Sequence, residues 1–242
     1  MKFEIINFDD KFQDFISGWI KQNSNQYENI DDMENEVPEL YEKWLETPAP
    51  WLGGCAPNRY FDHASGAQEL IDLMFRYMSA DVPVPDPLFN SIIDYEQQAA
   101  DYLIGVIRGV EELPAGADRE EAVMAAVNLI NEIECEPPYG DYIGILSQDL
   151  LGEDLAELII EMLMNAPKSI VDDLFKALGS ICSEKVRKRF IHVLAAFDND
   201  SRIYQMILDE FIKSSDDRAL MASYLGRFGN QEAVEILKKA FD

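Results

Sequence analysis

Apolar side chains recur every three or four positions along most of this chain, most clearly at its C-terminal end. In DRALMASYLGRFG, residues 217–229, Leu220, Met221, Tyr224, Leu225 and Phe228 fall on one stripe of a 3.6-residue period. Gly229 stops that helix, and Ala233, Val234, Ile236, Leu237 and Phe241 start a second stripe beyond a turn at Gly229 and Asn230. Two short amphipathic helices joined so tightly predict an antiparallel hairpin.

The same pattern stands 31 residues earlier. Val186, Phe190, Val193, Leu194 and Phe197 make one stripe, and after a turn containing Asn199 and Asp200, Ile203, Met206, Ile207 and Phe211 make its partner. A further step of 31 takes Leu194 to Leu163, within the stripe Leu155, Leu158, Ile159, Met162 and Leu163, whose partner is Ile170, Val171, Leu174, Phe175 and Leu178. Three hairpins at a near-constant spacing are an internal repeat, the signature of a solenoid.

The segment DDRALMASYLGRFGNQEAVEILKKAFD, 216–242, resembles the short HEAT-like repeat of phycobilin-lyase and related α-solenoid proteins. An arginine and small residues come early in one helix, Leu-Gly near its end, then a Gly-Asn turn and an EAV-x-x-L helix. The likeness is good over 216–242, fair over 183–213 and weak over 154–181. It implies a right-handed stack of helix pairs used as a binding scaffold, and its packing and turn residues specify a fold rather than an activity. Phe190 and Ile191 replace the small residues expected in the second copy, which implies a more splayed hairpin there.

Upstream, the periodicity predicts helices near 9–22, 36–46, 66–79, 86–95, 96–110, 118–134 and 140–150, separated by proline-rich breaks at 82–87 and at Pro137-Pro138. Asp118 with Glu121 and Ser65 with Gln68 have capping-box spacing, and Asp86 before Pro87 suits an N-cap. MKFEII could form a short strand but has no visible partner strand. The expected fold is therefore all-α: a HEAT-like α-solenoid of antiparallel helix pairs over 65–242, preceded by a divergent N-terminal helical cap over 1–64.

Charge changes the picture by its distribution. The net charge is -26, of which residues 66–166 carry -18, from 3 basic and 21 acidic side chains, while 167–242 balance 12 against 12. A surface so negative repels nucleic acid and anionic membrane and favours a basic protein partner, the alternative being a face that serves solubility alone. No apolar run reaches the ~18 residues of a membrane span, and the acidic start does not read as a signal peptide, so a cytoplasmic protein is expected. Cys55, Cys135 and Cys182 are far apart and lack a C-x-x-C pair, which argues against disulfides or a zinc knuckle.

Candidate chemistry is sparse. His63 and His192 are the two histidines, and the His-Glu dipeptides with which metal-bearing HEAT-like enzymes hold iron do not occur. Asp198-x-Asp200 begins like a calcium loop, but Arg202 and Ile203 stand where an oxygen ligand and a glycine are needed. The one basic run, Lys185, Arg187, Lys188 and Arg189, reads as a solvated face or a complement to its acidic neighbour repeat, with an RNA or acidic-partner patch as the functional alternative, and the pairs Glu111-Glu112 and Asp172-Asp173 read as surface. No catalytic residue, cofactor or metal is assigned.

TPAPWLGGCAPNRYFDH, 47–63, is the exception to the helical pattern. Pro48, Pro50 and Pro57 stiffen it, Gly53-Gly54 allows a positive-φ turn, and Trp51, Tyr60 and Phe61 bring large apolar area. The loop either caps the uncovered end of a solenoid or presents Trp51, Tyr60 and Phe61 to a partner. The expected function is a non-enzymatic protein-binding scaffold or adaptor for a basic protein, in a specific version an immunity-type protein that neutralises a toxin. The alternative is an enzyme or small-molecule binder at this loop, with Cys55 as nucleophile and His63 as base.

Overall fold

A computed structural model describes residues 3–27, 29–133, 135–181, 183–197, 200–213, 217–228, 233–234 and 236–238, and every regular element among them is helical. The chain forms two compact units, Met1–Pro137 and Pro138–Asp242, which part at the Pro137-Pro138 break. No helix of the described residues is long and apolar enough to cross a membrane. The turn Gly229-Asn230, Phe241, Cys182, Asp198 and Asn199 lie outside the described residues.

The first unit contains α1 (Phe8–Asn23), α2 (Ile30–Glu34), α3 (Val37–Glu46), α4 (Ala67–Ser79), α5 (Asp86–Ile93), α6 (Gln97–Arg108) and α7 (Arg119–Glu132). The division expected near residue 64 falls inside this unit, because the 3-10 turn Pro57–His63 packs on both α3 and α5. α4 is the centre: Leu70, Ile71, Met74 and Tyr77 are 0% exposed, and the helix packs on α5 and α6. Burying a leucine or isoleucine so fully contributes ~1.5–3 kcal/mol.

Tyr77 also explains why residues 3–6, the described part of the stretch expected as a strand, form none. Residues 3–7 have no regular structure, and the Tyr77 hydroxyl accepts from the Ile6 N–H at 3.1 Å and donates to the Ile6 carbonyl at 3.2 Å. One side chain thus satisfies both backbone groups that a partner strand would have taken.

Helix starts sharpen the expectations. Asp118 caps α7, accepting from the N–H groups of Glu120 and Glu121 at 2.9 and 3.0 Å, as the spacing predicts. α4 starts one residue later than expected, with Gly66 as its N-cap. In place of the expected reciprocal bonds with Gln68, Ser65 donates both its N–H and its hydroxyl to Glu69 Oε2, at 2.8 and 2.7 Å. Asp86 is the first helical residue of α5 rather than its cap, and its carboxylate accepts from the Tyr41 hydroxyl at 2.9 Å. Glu96, at φ 44°, turns the chain between α5 and α6, a conformation few non-glycine residues adopt.

The second unit contains α8 (Tyr139–Leu146), α9 (Glu153–Met164), α10 (Val171–Leu178), α11 (Glu184–Leu194), α12 (Ser201–Lys213) and α13 (Arg218–Arg227). α8 ends four residues short of the expected 150, leaving Leu150 97% exposed. The repeat positions are core positions: Leu163, Leu194 and Leu225 are each 0% exposed, as are Leu174 and Ile207. Leu220 and Val234, expected on apolar stripes, face solvent at the stripe edges. Phe190 and Ile191, expected to splay their hairpin, are buried.

Consecutive helices pack as α8 on α9, α10 on α11 and α12 on α13, while α8 also meets α10 and α9 meets α11. The expected pairs were α9 with α10 and α11 with α12. A repeat of 31 residues sets the spacing of helices but not the phase of their pairing, because each helix has neighbours on both sides.

Candidate functional site

The loop of residues 47–63 folds back on itself. The Ala49 N–H donates to the Cys55 carbonyl at 3.0 Å and the Gly54 N–H to the Ala49 carbonyl at 2.9 Å. Gly53 and Gly54 take φ 66° and 91°, as expected of a positive-φ turn, and the space beside each is open.

Its aromatics join a cluster with the first helices. The Trp51 ring lies 5.4 Å from Phe8, edge to face, and 6.2 Å from Trp44, while Tyr60 lies 5.5 Å from Phe3. Phe61 is 1% exposed, beside Phe3 and Phe8, so it offers no surface. Trp51 and Tyr60 are half-buried. The Cys55 thiol donates to the Ala56 carbonyl at 3.5 Å, and no hydrogen bond joins it to the exposed His63 among the described residues.

A larger feature of the first unit lies between α4 and α6. A cleft of about 1000 Å³ is lined by Glu69, Asp72, Asp101, Glu111 and Glu112, with Arg76 as the one cationic side chain among the described residues that line it. The positions follow from helical spacing: Glu69, Asp72 and Arg76 stand at i, i+3 and i+7 on α4, while Gln98 and Asp101 stand at i and i+3 on α6. The chain after α6 turns back on the helix, where the N–H groups of Val110 and Glu111 both donate to the Gly105 carbonyl. A Cβ on Gly105 would come within 2.7 Å of Glu111 Cγ, so the glycine lets that side chain lie along α6 and reach the cleft.

Within the cleft, the Tyr102 hydroxyl donates to Asp72 Oδ1 at 2.8 Å. Burial pushes the Asp72 carboxyl above its usual range, the Tyr102 hydrogen bond opposes this, and the charge of Glu111 adds to it. Burial and the bond to Asp72 raise the Tyr102 hydroxyl as well. Glu69 moves the other way, held below the carboxylate range by the two Ser65 donors. Arg76 also reaches out of this constellation, donating to the Phe3 carbonyl at 3.5 Å. The arrangement is thus a concave, hydrogen-bonded surface with five carboxylates and one guanidinium, suited to cationic side chains.

Compared with protein-family models, curated proteins and solved structures, the chain matches none. Its own geometry therefore carries the functional reading.

Sequence reasoning left Glu111-Glu112 on the surface and did not single out Asp72, Asp101 or Tyr102. The signal available was the polar stripe of α4 facing that of α6; the 30 residues between Asp72 and Tyr102 give no local cue.

The basic run in the second unit is taken up internally. Lys185 Nζ lies 3.3 Å from Glu153, Lys188 Nζ 2.7 Å from Asp217, and Arg187 pairs with Glu210 of α12. Arg189, 8% exposed, donates to the carbonyls of Gln148 and Leu151 at 3.3 and 3.2 Å, closing the connection between α8 and α9. Asp172 pairs with Arg202, which also holds Asp200 in the segment that superficially resembled a calcium loop. His192 Nδ1 is hydrogen-bonded with the Tyr224 hydroxyl, and burial, with Arg227 nearby, pushes its pKa down. Among the described residues no group of three His, Cys, Asp or Glu could hold a metal ion.

Proposed function

We propose that this chain is a non-enzymatic binding scaffold for a basic protein, and that the α4–α6 cleft receives lysine or arginine side chains of that partner. The supporting observation is the cleft's lining of five carboxylates against one arginine. Exposed Asp101 and Glu112 would steer association, and half-buried Asp72, Glu69 and Glu111 would meet a cation in a less screened setting. In the specific version the partner is a basic toxin neutralised by this chain, acting in the cytoplasm, and the interaction requires neither cofactor nor metal. The 31-residue spacing and the contacts of α8 with α10 and of α9 with α11 favour a short HEAT-like stack of helix pairs in the second unit. The internal pairing of Lys185, Arg187 and Lys188 weighs against nucleic acid as the partner.

Affinity capture from the source cell at low and physiological salt tests this reading. The native chain should retain a basic protein at low salt and release most of it at physiological salt. A variant carrying Asp72→Asn, Asp101→Asn, Glu111→Gln and Glu112→Gln should retain little at either. Equal capture by both chains would refute the cleft as the site.

The second reading, a small-molecule or catalytic site at the 47–63 loop, draws on the half-buried Trp51, Tyr60 and Cys55. Rapid alkylation of Cys55 near neutral pH, without denaturant, would favour it.

A further inference from the structure

The second unit carries a groove that nothing above uses. It is about 690 Å³ and crosses the C-terminal ends of α9, α11 and α13. On α9, Glu157 and Glu161 form one i, i+4 stripe, and Ile160 and Met164 form an adjacent one. Across the groove stand His192 of α11 and Arg227 of α13, while Ala196, just past α11, leaves the trough open because its side chain is small.

The charges around it are polarised and unanswered. Glu157 and Glu161 are exposed and have no ion pair among the described residues, unlike Glu153 and Glu210 in the same unit. Arg227 lies 5.5 Å from the centre of the Tyr224 ring and likewise has no carboxylate partner there. The C-terminal ends of α9, α11 and α13 border the groove, and their helix dipoles add partial negative charge. Along α9 the surface therefore presents paired acids beside paired apolar side chains. The opposite wall presents an imidazole, fixed through Nδ1 by Tyr224, and a guanidinium.

We propose that this groove docks an amphipathic helical segment of another protein, with aliphatic side chains on Ile160 and Met164 and lysine or arginine side chains against Glu157 and Glu161. The charge pattern selects the occupant: basic residues must flank the apolar anchors on the α9 side, and a carboxylate is accepted only at the Arg227 side. The two-stripe layout matches the i, i+4 periodicity by which a helix lays its apolar face in a groove. The site belongs to the second unit alone and does not depend on the cleft of the first.

The full chain offers a direct reporter, since His63 and His192 are the two histidines and lie in different units. Their imidazole proton signals, assigned with a His63→Gln variant, are followed by NMR while an acetylated, amidated helical peptide of about 14 residues is added, with leucines along one face and flanking lysines. The His192 signals should shift saturably. Replacing the lysines by glutamates, or the leucines by serines, should each weaken the effect at least tenfold, and so should Glu157→Lys with Glu161→Lys in the protein, both exposed positions that leave the core intact. An unmoved His192 would overturn the proposal, as would equal binding of the serine peptide, which would reduce the effect to charge attraction. Sedimentation showing that a second copy of the chain already covers the groove would overturn it too.

Discussion

In the second unit the basic residues of α11 each meet an acceptor: Lys185 on Glu153, Arg187 on Glu210, Lys188 on Asp217, and Arg189 on two carbonyls between α8 and α9. In the first unit Glu69, Asp72, Asp101, Glu111 and Glu112 gather around a single arginine. Both units are helical with apolar cores, so the difference lies in the use of charge. Balanced charges become crosslinks between helices, whereas an excess of one sign that faces a cleft remains directed at whatever enters. The net charge of -26 conceals this contrast; the segment 66–166 that carries -18 runs from α4 through α9 and so extends into the second unit, while 167–242 is balanced.

The contrast can be tested from its largest expected effect downwards. Leu70→Ala and Leu194→Ala, at residues 0% exposed in the two units, should each cost ~2–5 kcal/mol in denaturant unfolding. A loss below about 1 kcal/mol at either would mean that the two cores differ in packing as well as in charge. Trp51→Ala should cost about 2 kcal/mol, less than a wholly buried tryptophan, since its ring is half-exposed beside Phe8 and Trp44. Unchanged stability with lost binding would instead make the loop a recognition surface.

Arg189→Met should cost ~1–3 kcal/mol by orphaning the Gln148 and Leu151 carbonyls, whereas Lys185→Ala, at an exposed ion pair, should cost less than ~1 kcal/mol. Equal losses would place the crosslinking strength of α11 in the surface pairs.

The smallest effect carries the most information about the cleft. The Asp72 carboxyl is raised in the folded state, so its ionised form is penalised there. The penalty is fully present above the folded pKa and absent below the unfolded value, near 3.9. Asp72→Asn should therefore raise Tm slightly at pH 7 and lose that advantage as pH falls through the carboxylate range. A Tm difference independent of pH would show that the charge on Asp72 is not the cause.

Much of the fold was legible because amphipathic stripes report helices directly. Leu163, Leu194 and Leu225 were aligned by spacing alone, and all three are core residues. The phase of helix pairing was not legible, since a periodic pattern does not say which neighbour a helix prefers. The loop was legible in its glycine turn, but the burial of Phe61 depends on Phe3 and Phe8, which no local pattern links to it. The cleft was half legible: its acids lie in the segment with the greatest charge excess, yet Glu111 enters it only because Gly105 admits the chain's return along α6.

The central claim, that the cleft of the first unit binds a basic partner, is tested most directly by the salt dependence of binding of the captured protein, measured with the native chain and with the four-residue cleft variant. The account predicts that affinity for the native chain falls steeply between low and physiological ionic strength, and that the variant binds weakly with a shallow slope. Equal affinities and equal slopes for the two chains would contradict it.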